Sequence, residues 1–261
     1  MLFTDHVNHT IELSTYPKRI VSLVPSQSEL LWDLGLRKEL TGITKFCIHP
    51  KELFHSVERV GGTKTLNIEK IRKLNPDLII GNKEENEQSQ IEALQKEFPV
   101  WMSDIYNLND ALLTINAIGE LTNTKVKSDE IARSIEESFT GLKKADATVL
   151  YLIWKDPYMA AGKATFIGDL LTRLGMKNVI KDIDSRYPQL VIENIQSLAP
   201  EFIFLSSEPY PFKQKHIKEL QSELPNTKII LVDGELFSWY GSRLLKSVAY
   251  FNQLISEQLC F

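Results

Sequence analysis

The chain has 261 residues, 43% hydrophobic and 25% charged, enough for one large domain or two modest ones with real cores. A net charge of -4 with interspersed signs offers no concentrated basic face, which excludes nucleic acid as the partner. The two cysteines, Cys47 and Cys260, are too few and too far apart in sequence for a disulfide framework. No stretch approaches the roughly 18 apolar residues of a membrane span, so the chain is expected not to cross one. Met1 to His6 lack the basic-then-apolar order of an export signal, and none is expected in the chain as written.

In chain order, residues 19–24 read as a strand and 29–36 as an amphipathic helix closed by Gly35. Ser26, three residues before Glu29, has the spacing of a capping box, and that helix start could also assist an anionic ligand group. Ile68, Ile71 and Leu74 lie at helical spacing before Pro76, which stops the helix, and the apolar run 78–80 suits a strand covered on both faces. Two helices, 108–121 and 126–144, fill the middle of the chain, with no Gly/Ser/Pro-rich linker. Residues 147–153 then read as a strand and 169–176 as a second helix closed by glycine, here Gly175.

Two pairs of segments repeat in the same order. Residues 67–80 align without a gap on 191–204, each reading helix, proline, acid, strand, and 29–36 resemble 169–176. Strands alternating with helices imply parallel sheets, because parallel strands need crossover connections. The expected fold class is α/β: two similar lobes with mainly parallel sheets, joined by a long backbone helix and holding a ligand cleft between them. The expected divisions are an N-terminal lobe at 1–122, a connecting helix at 123–146 and a C-terminal lobe at 147–261. A 19-residue helix of about 28 Å would make the molecule a fairly stiff clamp.

The segment 19–26 with Glu29-Leu30, then 74–80, Gly162-Lys163, Tyr187-Pro188-Gln189 and the aromatic run before Arg243, resembles the helical-backbone substrate-binding proteins of ABC importers, closest to the vitamin B12-binding ones. The resemblance runs from about Lys18 to the C-terminus. It implies two α/β lobes, no catalytic activity, and capture of cobalamin, haem or an iron chelate, with no intrinsic cofactor. It also implies a periplasmic or cell-surface monomer that docks on a permease dimer through one glutamate per lobe, at Glu69 and Glu193. Each of these also stands near a helix start, where negative charge suits the macrodipole. Where relatives place tryptophans around the corrin, this chain has Thr63, Asn82 and Tyr187, a more polar set.

Loops at the carboxyl ends of strands face the binding crevice in open α/β sheets, and here they are rich in rings and charges. Trp154, Tyr158, Tyr187, Trp239 and Tyr240 offer flat faces for stacking on a planar ligand, with lobe packing as their other reading. Lys45, Lys64, Lys83 and Arg243 suit ligand carboxylates or amide oxygens, or else a solvated rim. Glu84, Glu208 and Glu235 suit ligand amide protons or salt bridges. His49 is a candidate contact to the metal of a bound chelate, with Cys47 beside it; a lone Cys-x-His pair is too small for a zinc site. Gly61-Gly62 and Gly234 suit close backbone approach. No phosphate-loop or dinucleotide-binding glycine pattern occurs.

Three functions fit these residues. The first is an importer's binding protein. The second is a cytosolic corrinoid or tetrapyrrole carrier or sensor. The third is a cleft enzyme using Cys47 and His49, although no nucleophile elbow or triad spacing is present.

Overall fold

The computed structural model describes residues 1–181 and 185–259. A small antiparallel hairpin, β1 (Leu2–Thr4) and β2 (Thr10–Glu12), opens the chain. There follow β3 (Ile20–Ser22), α1 (Pro25–Asp33), β4 (Leu40–Ile43), α2 (Lys51–Ser56), β5 (Glu58–Arg59), α3 (Ile68–Leu74), β6 (Leu78–Asn82), α4 (Gln88–Gln95) and β7 (Val100–Ser103). The helices α5 (Leu108–Leu121) and α6 (Lys125–Phe139) come next. The second half holds β8 (Thr148–Trp154), β9 (Tyr158–Ala160), α7 (Phe166–Arg173), β10 (Lys177–Asn178), β11 (Gln189–Leu190), α8 (Ile192–Leu198), β12 (Phe202–Ser206), α9 (Gln214–Glu223) and β13 (Lys228–Val232). It ends with α10 (Gly234–Ser238), α11 (Leu244–Leu254) and a π-helical turn at Ile255–Leu259.

Two compact units result. The first takes Met1–Ile105, Asn109–Glu137 and Trp239–Leu245; the second takes Tyr106–Leu108, Ser138–Ser238 and Lys246–Phe261. The division between them falls inside α6, between Glu137 and Ser138, and again on both sides of Trp239–Leu245.

In the first unit the strands run in the order β5-β4-β3-β6-β7, and every pairing is parallel. The β6 strand is buried along its whole length, which explains why it reads as an unbroken apolar run and not as alternation. Val21, Leu23, Ile71, Ile79, Ile91, Leu94 and Val100 form its core. The hairpin β1–β2 lies at the β7 edge, where the His6 amide donates to the Met102 carbonyl (3.0 Å) and Asp5 accepts from the Met102 amide (3.1 Å).

The second unit orders its strands β11-β9-β8-β12-β13, with β10 also pairing β8. The β8, β10, β12 and β13 pairings are parallel, as the sequence predicts. However, β8 turns back antiparallel into β9, and β11 adds antiparallel to β9. The segment after Trp154 is therefore a hairpin turn and not a strand-to-helix crossover. Its core gathers Leu150, Leu152, Ile195, Ile203, Leu205, Leu220 and Ile229, beside a ring cluster of Tyr151, Phe204, Phe237 and Phe251.

The sequence repeat is a structural repeat. Helices α3 and α8 begin and end at matching positions, and each is closed by a left-handed residue, Asn75 (φ 44°) and Ala199 (φ 43°). Gly35 (φ 95°) and Gly175 (φ 77°) end α1 and α7 in the conformation that a side chain resists. One expectation fails: Ser26 does not cap α1. The cap position is Val24, Pro25 takes the first helical position, where its missing N–H costs nothing, and Ser26 lies one residue inside. No described helix is long and apolar enough to cross a membrane.

Candidate ligand-binding site

In the first unit the parallel strands deliver the loops after β4, β5 and β6 to the same sheet end. The loop after β4 leaves Phe46 and Ile48 about half exposed, at 49% and 46%, two large apolar side chains close together at the surface. The Lys45 ammonium sits 5.1 Å from the centre of the Phe46 ring. Cys47, between them, is fully buried. Its thiol lies 3.2 Å from the Thr44 hydroxyl and 3.1 Å from that of Ser28, which donates to the Ser22 hydroxyl (2.8 Å) or the Val24 carbonyl (2.9 Å). Burial pushes this thiol above its ordinary value, outweighing the hydrogen bonds that pull it down. A neutral, enclosed thiol is neither a metal ligand nor a nucleophile, so the Cys47 half of the metal and enzyme readings is corrected. Cys260 lies outside the described residues.

The loop after β6 is tied together by two asparagines. Asn82 is buried; its carbonyl oxygen accepts from the amides of Glu84 (2.9 Å) and Glu85 (3.1 Å), and its amide nitrogen donates to Ser103 Oγ (3.0 Å). Asn86 accepts from the Asn82 amide and donates to the carbonyls of Leu23 and Thr63, linking the loops after β3, β5 and β6. Lys64 donates to the Glu84 carbonyl (2.6 Å), and Lys83 pairs with Asp104 (2.6 Å). Thr63, Lys64, Lys83 and Glu84 thus form one cluster with exposed or half-exposed side chains. Asn82 lies beneath it as the residue that shapes the loop.

The segment 239–245 contributes a second group to the first unit. Arg243 is 7% exposed and forks onto Glu29 of α1, with Nε–Oε2 and Nη2–Oε1 both at 2.8 Å. The Trp239 indole covers the guanidinium at 4.5 Å, and the His49 ring meets that indole edge-on, 5.8 Å between centres. Gly241 packs so close to α1 that an added Cβ would stand 2.8 Å from the Ser26 carbonyl. His49 is half-exposed, whereas Trp239 and Tyr240 are each 6% exposed.

In the second unit Trp154 ends β8 40% exposed, edge-on to Tyr210 at 5.6 Å. Lys155, next to it, is paired with Glu219. Tyr158 is half-buried, and desolvation raises its phenol. Tyr187 is also half-buried and flanks Arg186, whose guanidinium stands 4.4 Å from the Tyr106 ring and 5.8 Å from the Tyr187 ring. The Arg186 Nε donates to the Ala164 carbonyl (2.9 Å), which fixes the stack. After β12, Glu208 accepts from the Ser238 hydroxyl (2.8 Å). After β13, the Glu235 amide donates to Asp233 Oδ1 (3.0 Å), starting α10. Gly234 passes within van der Waals reach of Ser206 and Glu208, where any side chain would collide.

Sequence reasoning missed Tyr106, and it picked out the loop that holds Arg186 without singling out that residue. The signal was present: Tyr106 follows the β7 strand just as the chosen residues follow theirs, but 100–103 was not read as a strand. No group of three or more His, Cys, Asp and Glu placed to hold a metal ion occurs among the described residues.

Residues 20–228 match the sequence profile of the periplasmic binding protein family, covering most of the chain from β3 to the start of β13. The chain belongs to that family. A Bacillus subtilis ABC transporter substrate-binding lipoprotein is 28% identical, with 94% of this chain and 82% of the relative aligned. The vitamin B12-binding protein of Pectobacterium carotovorum is 23% identical over 94% of this chain and 87% of its own length. Among solved structures, a periplasmic heme-binding protein holding two hemes superposes with a TM-score of 0.80 at 16% identity, covering 93% of this chain and 99% of the other. The vitamin B12-binding protein of Vibrio cholerae gives 0.75 at 21% identity, covering 92% and 97%. The family is one of carriers and not of enzymes, which sets aside the cleft-enzyme reading.

Proposed function

We propose that the chain is the ligand-capturing protein of an ABC-type importer and that its cargo is a flat metal chelate of the corrinoid or tetrapyrrole class. The observation that carries this reading is the family match over residues 20–228. The strand-end loops supply the chemistry. Trp154, Tyr158, Tyr187 and Tyr106 offer ring faces for a macrocycle. Lys45, Lys64, Lys83 and Arg186 meet peripheral carboxylates or amide oxygens, while Glu84, Glu208 and Glu235 accept from amide protons. Thr63 and the loop shaped by Asn82 line the polar side. His49 offers an imidazole nitrogen to the metal, with Trp239, Tyr240 and Arg243 behind it.

Glu69 and Glu193 are proposed as the contacts to a two-fold permease. Both lie in the first turn of their helices, α3 and α8, and both are exposed. Glu69 is joined to Arg72, which Glu97 also grips through Nη2 (2.6 Å). Such exposed pairs are worth about 0–1 kcal/mol and yield readily to a partner's arginine. Docking on a permease places the protein, as a monomer, outside the cytoplasmic membrane.

The test is absorbance titration, with native mass spectrometry, against ferric haem, hydroxocobalamin, cobinamide and a ferric catecholate. Haem or one of the two corrinoids should bind at micromolar concentration or below; binding of the catecholate alone, or of no probe, ends the cargo assignment and leaves the fold intact. Trp154→Ala and Tyr187→Ala should each weaken the bound chelate by about 1–3 kcal/mol. Unchanged affinity in both would return these rings to packing.

A further inference from the structure

We infer that Glu29 is a positioning residue for the ligand site: through Arg243 it fixes the Trp239 indole against which the His49 ring is set. The inference rests on the chelate-binding reading above and deepens it.

Four side chains form a column within the first unit. Glu29 lies on α1, 5% exposed, and takes both Nε and Nη2 of Arg243 at 2.8 Å. A two-point contact between planar groups defines direction as well as distance, which a single-point lysine would not. The guanidinium carries Trp239 on its face at 4.5 Å, and Trp239 carries His49 on its edge at 5.8 Å with 67° between planes. The outer end of the column is half-exposed while the inner end is sealed. A change at Glu29 is therefore passed outward through the rings.

Apolar side chains of the same size would fill the Glu29 and Arg243 positions with less desolvation, so stability alone is a poor reason for a buried pair here. Orientation is the property that such a swap would lose. The anchoring of the turn makes the same point: Gly241 lies against the Ser26 carbonyl, so 239–243 is held to α1 at two places, once by shape and once by charge. Arg243 thereby serves as a structural arm, with Nε and Nη2 both directed to Glu29.

The experiment compares the wild type with Glu29→Asp, Glu29→Gln, the double variant Glu29→Gln with Arg243→Gln, and His49→Ala. Each is titrated with ferric haem and hydroxocobalamin, recording affinity and the position of the visible bands, and each is melted without ligand. The single Glu29→Gln variant leaves a buried cation without its carboxylate fork and melts early. The double variant leaves none and keeps the fold testable. The expected result is that the double variant binds about tenfold more weakly, with bands displaced in the direction that His49→Ala displaces them. Glu29→Asp, which keeps the fork, should restore both readouts most of the way. A double variant with wild-type affinity and bands overturns the inference and leaves the binding function standing. A wild type that binds neither of these probes nor cobinamide overturns both.

Discussion

Cys47 is chemically quiet for reasons visible at atomic range. The sheet end encloses its sulfur, and the Thr44 and Ser28 hydroxyls meet it, yet desolvation dominates and favours the protonated form. Tyr151, fully buried with its hydroxyl 3.2 Å from Ser206 Oγ, is pushed up for the same reason. The sign of the linkage follows. Groups whose ionisation is harder in the folded state give their full contribution below their unfolded values, about 8.5 for the thiol and about 10 for the phenol. That contribution is lost as pH rises through this range toward the folded values. The urea midpoint should therefore fall from about pH 8.5 upward, and Cys47→Ala should flatten the first part of the decline. In a Cys260→Ser background, a maleimide should label Cys47 only when the chain unfolds; rapid labelling of the native protein would contradict the burial argument. At the same scale, breaking the Glu29–Arg243 pair from one side should cost about 3–5 kcal/mol of stability, because a buried charge loses its two-point counter-charge. The sequence marked Arg243 as a cation worth attention. It had no means of showing that the partner lies 214 positions earlier, since nothing local records a contact of that span.

The helices and strands of the repeat were the most readable part of the chain. Apolar spacing, proline and the following apolar run gave α3 and β6, α8 and β12, because burial on both faces leaves a pattern that survives in composition. Termini were harder to read. Pro25 displaced the cap of α1 to Val24, a residue with no side-chain oxygen, so the Ser26 signal pointed two residues too far along. The β8–β9 turn was hidden because its Trp-Lys-Asp-Pro sequence has loop composition whether the chain turns back or crosses over. The repeat also exposes an unequal pair of helix ends. Asn75 occupies its left-handed position at the close of α3 with little strain, whereas Ala199 adopts nearly the same φ at the close of α8 with a methyl group in the way. Replacing Ala199 by glycine, or by asparagine as in the first copy, should raise stability by about 1 kcal/mol, read as a shifted denaturant midpoint at constant slope. A loss of stability would mean that the conformation costs nothing there.

At the scale of the molecule, the repeat puts two glutamates far apart in sequence on matching helix turns, which gives the docking proposal its test. Glu69→Lys with Glu193→Lys should leave chelate affinity unchanged while abolishing ligand-stimulated ATP hydrolysis by the reconstituted permease; either single change should weaken it in part. Full activity in the double variant would dismiss the docking role. The family and the two α/β halves were legible because they reside in the order of many motifs. The composition of the ligand site was legible only as a set of loops, since the choice among neighbouring rings and charges depends on which side chains the interior has already claimed. The membership of 239–245 in the first unit carries a practical lesson for anyone dividing this gene. A fragment stopped anywhere before residue 239 would retain Glu29 with its counter-ion missing, and a fragment begun after α6 would carry a tryptophan and an arginine made for a surface it does not possess. The two halves share their order of motifs, yet neither compact unit is one contiguous stretch of sequence.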